Sequence, residues 1–405
     1  MIHIELNSID PHYLLGYRWL LDKKLGEGGQ GEVWSAYDCK LILAENLYPF
    51  FEYNIKSDYY LDEINVGQIN TSELYRYCVH INMNLYALKI LTRSTKKALL
   101  RLKNEVEALI MLSAKDSKIV RIHDHYIPDS LEQLTDDDIK RMLITEKPYF
   151  VMDYIKGKTL RELATLGTWQ NKLIYSLSII RELALIVGTA HNHSPYILHR
   201  DLHPLNVFVK AADDALVLTD FGLCHIEGSD RQTGTYEPLG ARFYIPYELE
   251  QGKANPSPAS DIFSLGKILY FLISGGVDLP REDHRENKYA DLLEVSPQME
   301  FVYRIFDAVL KKDMLERPQS IEEFVSLIDN ALELITEHYY PLKEGRKCII
   351  CGEGQYKKAP DEYKNVIWKG GSFSNYGNKD SYLLICYNCG NVQHFYDIKV
   401  ARKMK

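Results

Sequence analysis

The sequence predicts an α+β protein whose first part is rich in β-strands, whose second part is mainly helical, and whose C-terminal end is a small β-rich module. Three observations lead to this prediction. A glycine-rich strand–turn–strand pattern occupies residues 19–34, helical apolar spacing follows from residue 95, and four of the seven cysteines fall after residue 347. At 405 residues the chain exceeds one ordinary compact core, so two or three domains are expected.

Composition favours a folded protein that lies outside membranes. The chain is 46% hydrophobic and 26% charged, and its first residues lack the basic region and long apolar run of a signal peptide. The strongest apolar stretch, 262–277, is short and interrupted by polar residues, so we expect a buried core helix and a cytoplasmic protein without membrane contact. The net charge of −8 gives no general indication of nucleic-acid binding.

The glycine-rich pattern consists of Gly26, Gly28, Gly31 and Val33, spaced as G-x-G-x-x-G-x-V between two strand-like segments. Glycines at a hairpin tip let backbone N–H groups approach phosphates, because no Cβ atom obstructs the approach. A plain tight turn explains the pattern equally well. A dinucleotide-binding fold is disfavoured because no helix follows the glycines directly.

A single lysine stands inside the next strand-like segment, residues 85–91. Lys89 is flanked by apolar residues and therefore requires an anionic partner. A helix over 95–112 follows, with apolar residues at a spacing of three and four. Glu105 lies nearer the centre of that apolar face than Glu107 does, so we expect Glu105 to pair with Lys89, with Glu107 as the alternative.

A β-hairpin near the middle of the chain carries the most informative polar residues. Asn206 precedes its first strand and Asp220 follows its second, so antiparallel pairing brings the two residues to one end of the hairpin. An amide oxygen beside a carboxylate is a suitable partial shell for Mg²⁺. Asp201 lies on the loop that enters this end and is positioned to accept a hydroxyl proton.

These motifs, taken in order, resemble those of the eukaryotic-type Ser/Thr protein kinases: a glycine-rich loop, A-L-K, H-R-D-x-x-x-x-N and D-F-G. The resemblance implies a bilobal kinase fold that binds ATP and Mg²⁺ and phosphorylates a protein substrate. We expect an N-lobe over 15–152 and a C-lobe over 153–335.

The resemblance also implies roles for further residues. Glu248 and Arg317 would form a structural ion pair, and Arg200 would be available to pair with a phosphate on the loop 220–248. That loop contains Ser229, Thr233, Thr235 and Tyr236, so activation by autophosphorylation is a hypothesis, with ordinary solvated hydroxyls as the alternative. The implied adenine-binding residues are Ala87, Met152 as gatekeeper, Asp153 and Tyr154.

Two departures from the family pattern leave the acceptor open. His203 stands where Ser/Thr kinases usually have lysine, which resembles the kinase-like phosphotransferases that act on aminoglycosides and choline. We expect this histidine to carry positive charge part of the time near neutral pH. Ala241 replaces the usual threonine of the loop, which leaves a preference for serine/threonine or for tyrosine open. A small-molecule phosphotransferase is the alternative to a protein kinase, and a catalytically inactive scaffold is the rival from a different class.

Two long connections indicate insertions in the N-lobe. Gly31 and Lys89 are much further apart than adjacent strands require, so residues 39–82 are predicted to be inserted between two strands. Residues 127–147 are predicted to form a second insertion. A regulatory or partner surface and a plain loop elaboration both remain open for these segments.

The last part of the chain, residues 341–405, carries two C-x-x-C-G knuckles, Cys348–Cys351 and Cys386–Cys389. Four thiolates in two tight turns match a structural zinc site, and the region resembles a zinc ribbon. It holds 12 basic and 6 acidic residues, a net charge of +6 (12 − 6). This charge would suit contact with a protein or nucleic acid, including the acidic remainder of the chain.

Overall fold

The computed structural model describes most of the chain up to residue 337 and three strands beyond it. The described residues are 13–16, 18–28, 31–40, 71–93, 95–128, 131–145, 147–165, 172–227, 241–250, 256–280, 283–285, 299–337, 356–358, 381–386 and 392–396.

The first lobe is built on a six-stranded antiparallel sheet with strand order β1-β2-β3-β4-β6-β5. Its strands are β1 (Leu14–Leu15), β2 (Trp19–Glu27), β3 (Gly31–Asp38), β4 (Leu85–Leu91), β5 (Ile122–Tyr126) and β6 (Tyr149–Asp153). Strands β2 and β3 flank the glycine-rich turn, so the predicted strand–turn–strand is confirmed. A β-rich first lobe is thereby confirmed as well.

Two helices of this lobe precede and follow β4, namely α1 (Thr71–His80) and α2 (Lys96–Ser113). The α2 helix begins where the sequence predicts, because Thr95 caps it by accepting a hydrogen bond from the backbone N–H of Ala98 at 3.2 Å. Its apolar face, which includes Leu99, Leu102 and Val106, is buried in the main hydrophobic core.

The regions predicted to be insertions contain helices where the structure describes them. The α1 helix lies in the first one and packs its buried Leu74 and Cys78 against the N-terminal strands. Residues 41–70 of that segment fall outside the described residues. The second region forms a 3-10 helix (Leu131–Gln133) and the helix α3 (Asp136–Thr145).

The second lobe is mainly helical, as predicted. Its helices are α4 (Leu160–Thr165), α5 (Lys172–His191), α6 (Tyr247–Glu250), α7 (Pro258–Ile273), α8 (Met299–Val309) and α9 (Ile321–Glu337). Two small sheets accompany them, β7–β9–β10 and β8–β11, with strands β7 (Gly157–Thr159), β8 (Ile197–Leu198), β9 (Val207–Lys210), β10 (Leu216–Leu218) and β11 (His225–Ile226).

Helix α7 is the centre of this lobe. Every residue from Ala259 to Ile273 is buried, which explains the apolar stretch that the sequence places here. Among the described helices, α5 is the one long and apolar enough to cross a membrane, over Leu173–His191. About 61% of that window is buried inside the fold, where the helix packs against α7 and α9.

The C-terminal strands form a separate three-stranded antiparallel sheet with the order β12-β13-β14. They are β12 (Tyr356–Lys358), β13 (Ser381–Cys386) and β14 (Val392–Tyr396). Tyr356 pairs with Cys386, so the start of β12 lies beside the end of β13. Cys348, Cys351 and Cys389 lie outside the described residues.

Candidate active site

The two lobes meet at Lys89 on β4. Its Nζ lies 2.8 Å from both carboxylate oxygens of Glu105 and 3.0 Å from Oδ1 of Asp220. The Lys89–Glu105 pair predicted from the helical period is therefore present. Glu107, the alternative, instead lies 3.7 Å from Lys103 on the outer face of α2. One ammonium group thus contacts a carboxylate from each lobe.

The charges of this cluster depend on one another. Burial disfavours the charged ammonium, but the carboxylates of Asp220 and Glu105 outweigh it and raise the pKa of Lys89. Burial likewise works against an ionised Asp220, yet Lys89 lowers the pKa of that carboxyl group well below its usual range. Burial raises the pKa of Glu105 to about 8, against the attraction of Lys89. Lys89 and Asp220 are therefore the firmly ionised members.

Asn206 and Asp220 lie at one end of the β9–β10 hairpin. Strand pairing continues to its end, where Thr219 N donates to Asn206 O at 2.9 Å. The side-chain amide nitrogen of Asn206 donates to Asp201 O at 2.9 Å, which leaves the amide oxygen available as a ligand. Asp220 has a φ of +61°, a backbone conformation sparsely populated by residues other than glycine.

These residues fit a magnesium–nucleotide complex. Asn206 and the ionised Asp220 offer two of the hard oxygen ligands that Mg²⁺ prefers, with Lys89 beside them for a phosphate. At Gly26 and Gly28, an added Cβ would meet no protein atom within 4 Å, so packing does not explain these glycines. At Gly31 it would lie 1.9 Å from Ile90 O, so close backbone approach requires that glycine.

The loop that carries Asp201 is held in place by Asp261, a residue for which sequence analysis predicts no role. Its fully buried carboxylate accepts hydrogen bonds from His199 N at 2.9 Å and Arg200 N at 2.8 Å, while His191 Nε2 lies 2.8 Å away. The sequence signal that could have identified Asp261 is a single aspartate within an otherwise apolar helix. Its partners are backbone groups, which no side-chain pattern identifies.

The structure corrects the expectation for His203. The side chain is 8% exposed, and burial lowers its pKa to about 4, so the imidazole is neutral near pH 7. Leu205 N donates to Nδ1 at 3.3 Å, which assigns the proton to Nε2. Nε2 lies 3.7 Å from Asp201 Oδ1. The side chain is therefore a neutral hydrogen-bond donor beside Asp201, where we expected a part-time cation.

The remaining site residues surround this centre. Met152 and Asp153 end β6 beside β4, with Ala87 opposite Met152, and Tyr154 follows them. The ion pair between Arg317 and Glu248 is present, with two bonds of 2.8 and 3.1 Å. The proposed phosphorylation positions lie in 228–240, outside the described residues.

Among the residues that the structure describes, no group of three or more His, Cys, Asp or Glu side chains is placed to hold a metal ion. Three of the four cysteines predicted to bind zinc lie outside this part of the chain, so that prediction stays untested.

Comparison with known proteins identifies the architecture. Residues 60–338 match the protein kinase domain family. The serine/threonine-protein kinase PknB of Mycobacterium tuberculosis is 27% identical over 213 residues, which is 51% of this chain and 33% of that protein. The kinase PrkC of Bacillus subtilis is 33% identical over 135 residues, 33% of this chain and 20% of that protein. The chain thus spans a third or less of these relatives.

A solved structure shows the same fold. The crystal structure of the Mycobacterium tuberculosis PknI kinase domain superposes with a TM-score of 0.50 and 18% identity, over 80% of this chain and 100% of that chain.

Proposed function

The chain belongs to the protein kinase family, and we propose that it is an ATP- and magnesium-dependent enzyme that phosphorylates serine or threonine hydroxyls of proteins. The observation that carries the proposal is the ion pair between Lys89 and Asp220, 3.0 Å apart, which joins the two lobes next to Asn206 and Asp201. Four groups of three chemical kinds would then serve one cleft: an ammonium, an amide oxygen and two carboxylates.

Each group has a role that follows from its chemistry. Lys89 binds phosphate oxygens and is kept in place by Glu105, which is 1% exposed and cannot turn to solvent. Asn206 and Asp220 would hold the metal ion, whose charge, when it is bound, offsets that of the phosphates. Gly26, Gly28 and Val33 lie at the end of the β2–β3 hairpin, where the phosphates would bind.

Asp201 serves as the proton acceptor. The acceptor hydroxyl oxygen bonds to the γ-phosphorus while the bond from that phosphorus to the ADP oxygen breaks, and Asp201 takes the hydroxyl proton. His203, neutral and with its proton on Nε2, lies 3.7 Å from Asp201 Oδ1, beyond hydrogen-bond distance, and is available to donate to the transferring phosphoryl oxygens. Asp261 keeps the loop in position because it binds two successive backbone N–H groups, those of His199 and Arg200.

A protein acceptor is favoured over a small molecule by the Glu248–Arg317 ion pair, which fixes the end of the loop 220–248 to the helical lobe. The relatives named above are serine/threonine-protein kinases, and this is a second support. Met152, Asp153 and Tyr154 border the space beside β4 where the adenine would bind.

The test is incubation with ATP labelled on its γ-phosphate, Mg²⁺ and a mixture of serine-, threonine- and tyrosine-containing peptides. We expect label on serine or threonine of peptides or of the enzyme itself. Label transferred to an aminoglycoside or choline, with peptides unlabelled, would establish the small-molecule alternative. An absence of label with intact ATP binding would establish the scaffold alternative.

We propose further that Cys348, Cys351, Cys386 and Cys389 bind one structural Zn²⁺. The support is topological: Tyr356, which follows Cys351 by five residues, pairs with Cys386 at the end of β13. The cysteine pair nearer the N-terminus therefore precedes a residue that lies beside the first cysteine of the other pair. Four thiolates from two such pairs would close a tetrahedral site.

Metal analysis of the purified protein tests the zinc proposal. We expect about one zinc per chain in the wild type. The variant Cys389→Ser should lose this zinc. The control Cys224→Ser should retain it, because it removes a buried cysteine of the helical lobe. A wild-type protein without zinc, purified under reducing conditions and without chelator, would refute it.

A further inference from the structure

The second inserted segment of the N-lobe contacts the helix that carries Glu105. This segment, residues 131–145, comprises the 3-10 helix Leu131–Gln133 and α3 (Asp136–Thr145). Its Asp136 Oδ1 accepts a hydrogen bond from Lys96 N at 2.8 Å. Lys96 is the first residue of α2, so a carboxylate from the insertion binds a backbone N–H that the helix itself leaves unsatisfied.

The charges of α2 explain why an outside carboxylate matters there. The first turn of α2 contains no acidic residue and begins with Lys96 and Lys97, although the N-terminal end of a helix favours negative charge. Burial and the neighbouring Arg101 lower the pKa of Lys97, as expected for crowded positive charge. The first turn of α3, in contrast, contains Asp136, Asp137 and Asp138. The insertion therefore supplies the negative charge that α2 lacks.

Apolar packing strengthens this contact. Leu131, Ile139 and Leu143 of the segment are 4%, 0% and 0% exposed and belong to the hydrophobic core that includes Leu99 and Leu102 of α2. The 3-10 helix packs directly against α2.

The opposite end of α3 is anchored to the sheet. Lys147, just before β6, donates from Nζ to Leu143 O at 3.2 Å. The segment thus connects α2 to β6. Strand β6 is the neighbour of β4, and β4 carries Lys89.

We propose that residues 131–145 are a built-in brace that fixes the N-terminal end of α2 and so keeps Glu105 in contact with Lys89. Glu105 lies nine residues beyond Lys96, about 13 Å along the same continuous helix. A rigid helix transmits a displacement of its first turn to this position. Asp136 acts on catalysis through Glu105, as a positioning residue, and the catalytic consequence rests on the proposed kinase activity.

The experiment compares Asp136→Asn with Asp137→Asn in the full chain. Both variants remove one carboxylate from the first turn of α3, but Asp137 pairs with Lys140 of its own helix and its side chain is 77% exposed. Amide hydrogen exchange over residues 96–113 and the KM for ATP are measured for each. For Asp136→Asn we expect exchange in the first two turns of α2 to accelerate about fivefold and the KM for ATP to rise by about threefold to tenfold.

For Asp137→Asn we expect the rate of amide exchange in α2 and the KM for ATP to stay within about twofold of the wild type. Equal effects of the two substitutions would overturn the proposal, because the specific contact with Lys96 would then have no consequence. An unchanged rate of amide exchange in α2 of the Asp136→Asn variant would overturn it as well.

A second pair of variants separates the brace from ordinary core packing. Ile139→Ala removes a buried contact of α3, whereas Lys140→Ala changes the exposed face of the same helix. We expect Ile139→Ala to accelerate exchange in α2 more than in α7 and to raise the KM for ATP, with kcat less affected. The brace proposal would be overturned if Ile139→Ala lowered the melting temperature, accelerated amide exchange equally in α2 and α7, and left the KM for ATP unchanged. If the wild type transfers no phosphate, the kinase proposal fails while the exchange data still decide the brace.

Discussion

Lys89 and Asp220, which are 131 residues apart in the sequence, form an ion pair with Nζ 3.0 Å from Oδ1. Lys89 belongs to the sheet of the first lobe and Asp220 follows the β9–β10 hairpin of the second. The pair therefore defines the relative position of the lobes at the cleft.

The buried carboxylate of Glu105 holds Lys89 in that position. We expect Glu105→Gln to lower kcat/KM for ATP by about tenfold to a hundredfold, because an NH2 group replaces one of the two oxygens that contact the ammonium of Lys89. Steady-state kinetics of peptide phosphorylation measure this. Glu107→Gln is the matched control, since Glu107 lies on the outer face and its side chain is 44% exposed. Equal losses of kcat/KM in Glu105→Gln and Glu107→Gln would show that the effect comes from the charge of the helix and not from the contact between Glu105 and Lys89.

The Glu248–Arg317 pair stabilises the helical lobe. The Arg317 side chain is 0% exposed and that of Glu248 is 6% exposed, so Glu248→Gln leaves a buried guanidinium without its charged partner. We expect a loss of about 3 kcal/mol in the free energy of unfolding, measured by urea denaturation. Glu250→Gln, on the exposed side of the same short helix, should cost less than about 0.5 kcal/mol. A loss below 1 kcal/mol for Glu248→Gln would contradict the account.

His203 links stability to pH. Its pKa is lowered to about 4 in the fold, so between the ordinary value of 6.5 and 4 the unfolded chain binds more protons than the folded one. Stability is therefore lost as the pH falls through this window. Relative to His203→Asn, we expect the wild type to lose about 3 kcal/mol between pH 7 and pH 4. If the free energy of unfolding changed with pH in the same way for the wild type and for His203→Asn, the imidazole of His203 would not be buried as a neutral group.

The main features of the site follow from local sequence patterns. The helical period selects Glu105 over Glu107, and antiparallel pairing brings Asn206 next to Asp220, because both rules concern neighbouring positions on one element. The charge of His203 could not be predicted in the same way. Its pKa depends on burial by residues from other elements, such as Tyr244, whose ring centroid lies 6.4 Å away.

The brace and the role of Asp261 escape sequence analysis for a related reason. Asp136 and Asp261 both bind backbone N–H groups of distant segments, and every residue type except proline supplies such a group. The acidic start of α3 indicates a helix N-terminus, yet it does not indicate which second helix lies against it.

The proton-accepting role of Asp201 is the central claim, and single-turnover transfer of labelled γ-phosphate tests it most directly. Wild type and Asp201→Asn are compared at saturating ATP and Mg²⁺, with nucleotide binding measured separately. We expect Asp201→Asn to bind ATP within about twofold of the wild type while its transfer rate falls by about a hundredfold to ten-thousandfold. A transfer rate equal to that of the wild type would contradict the account.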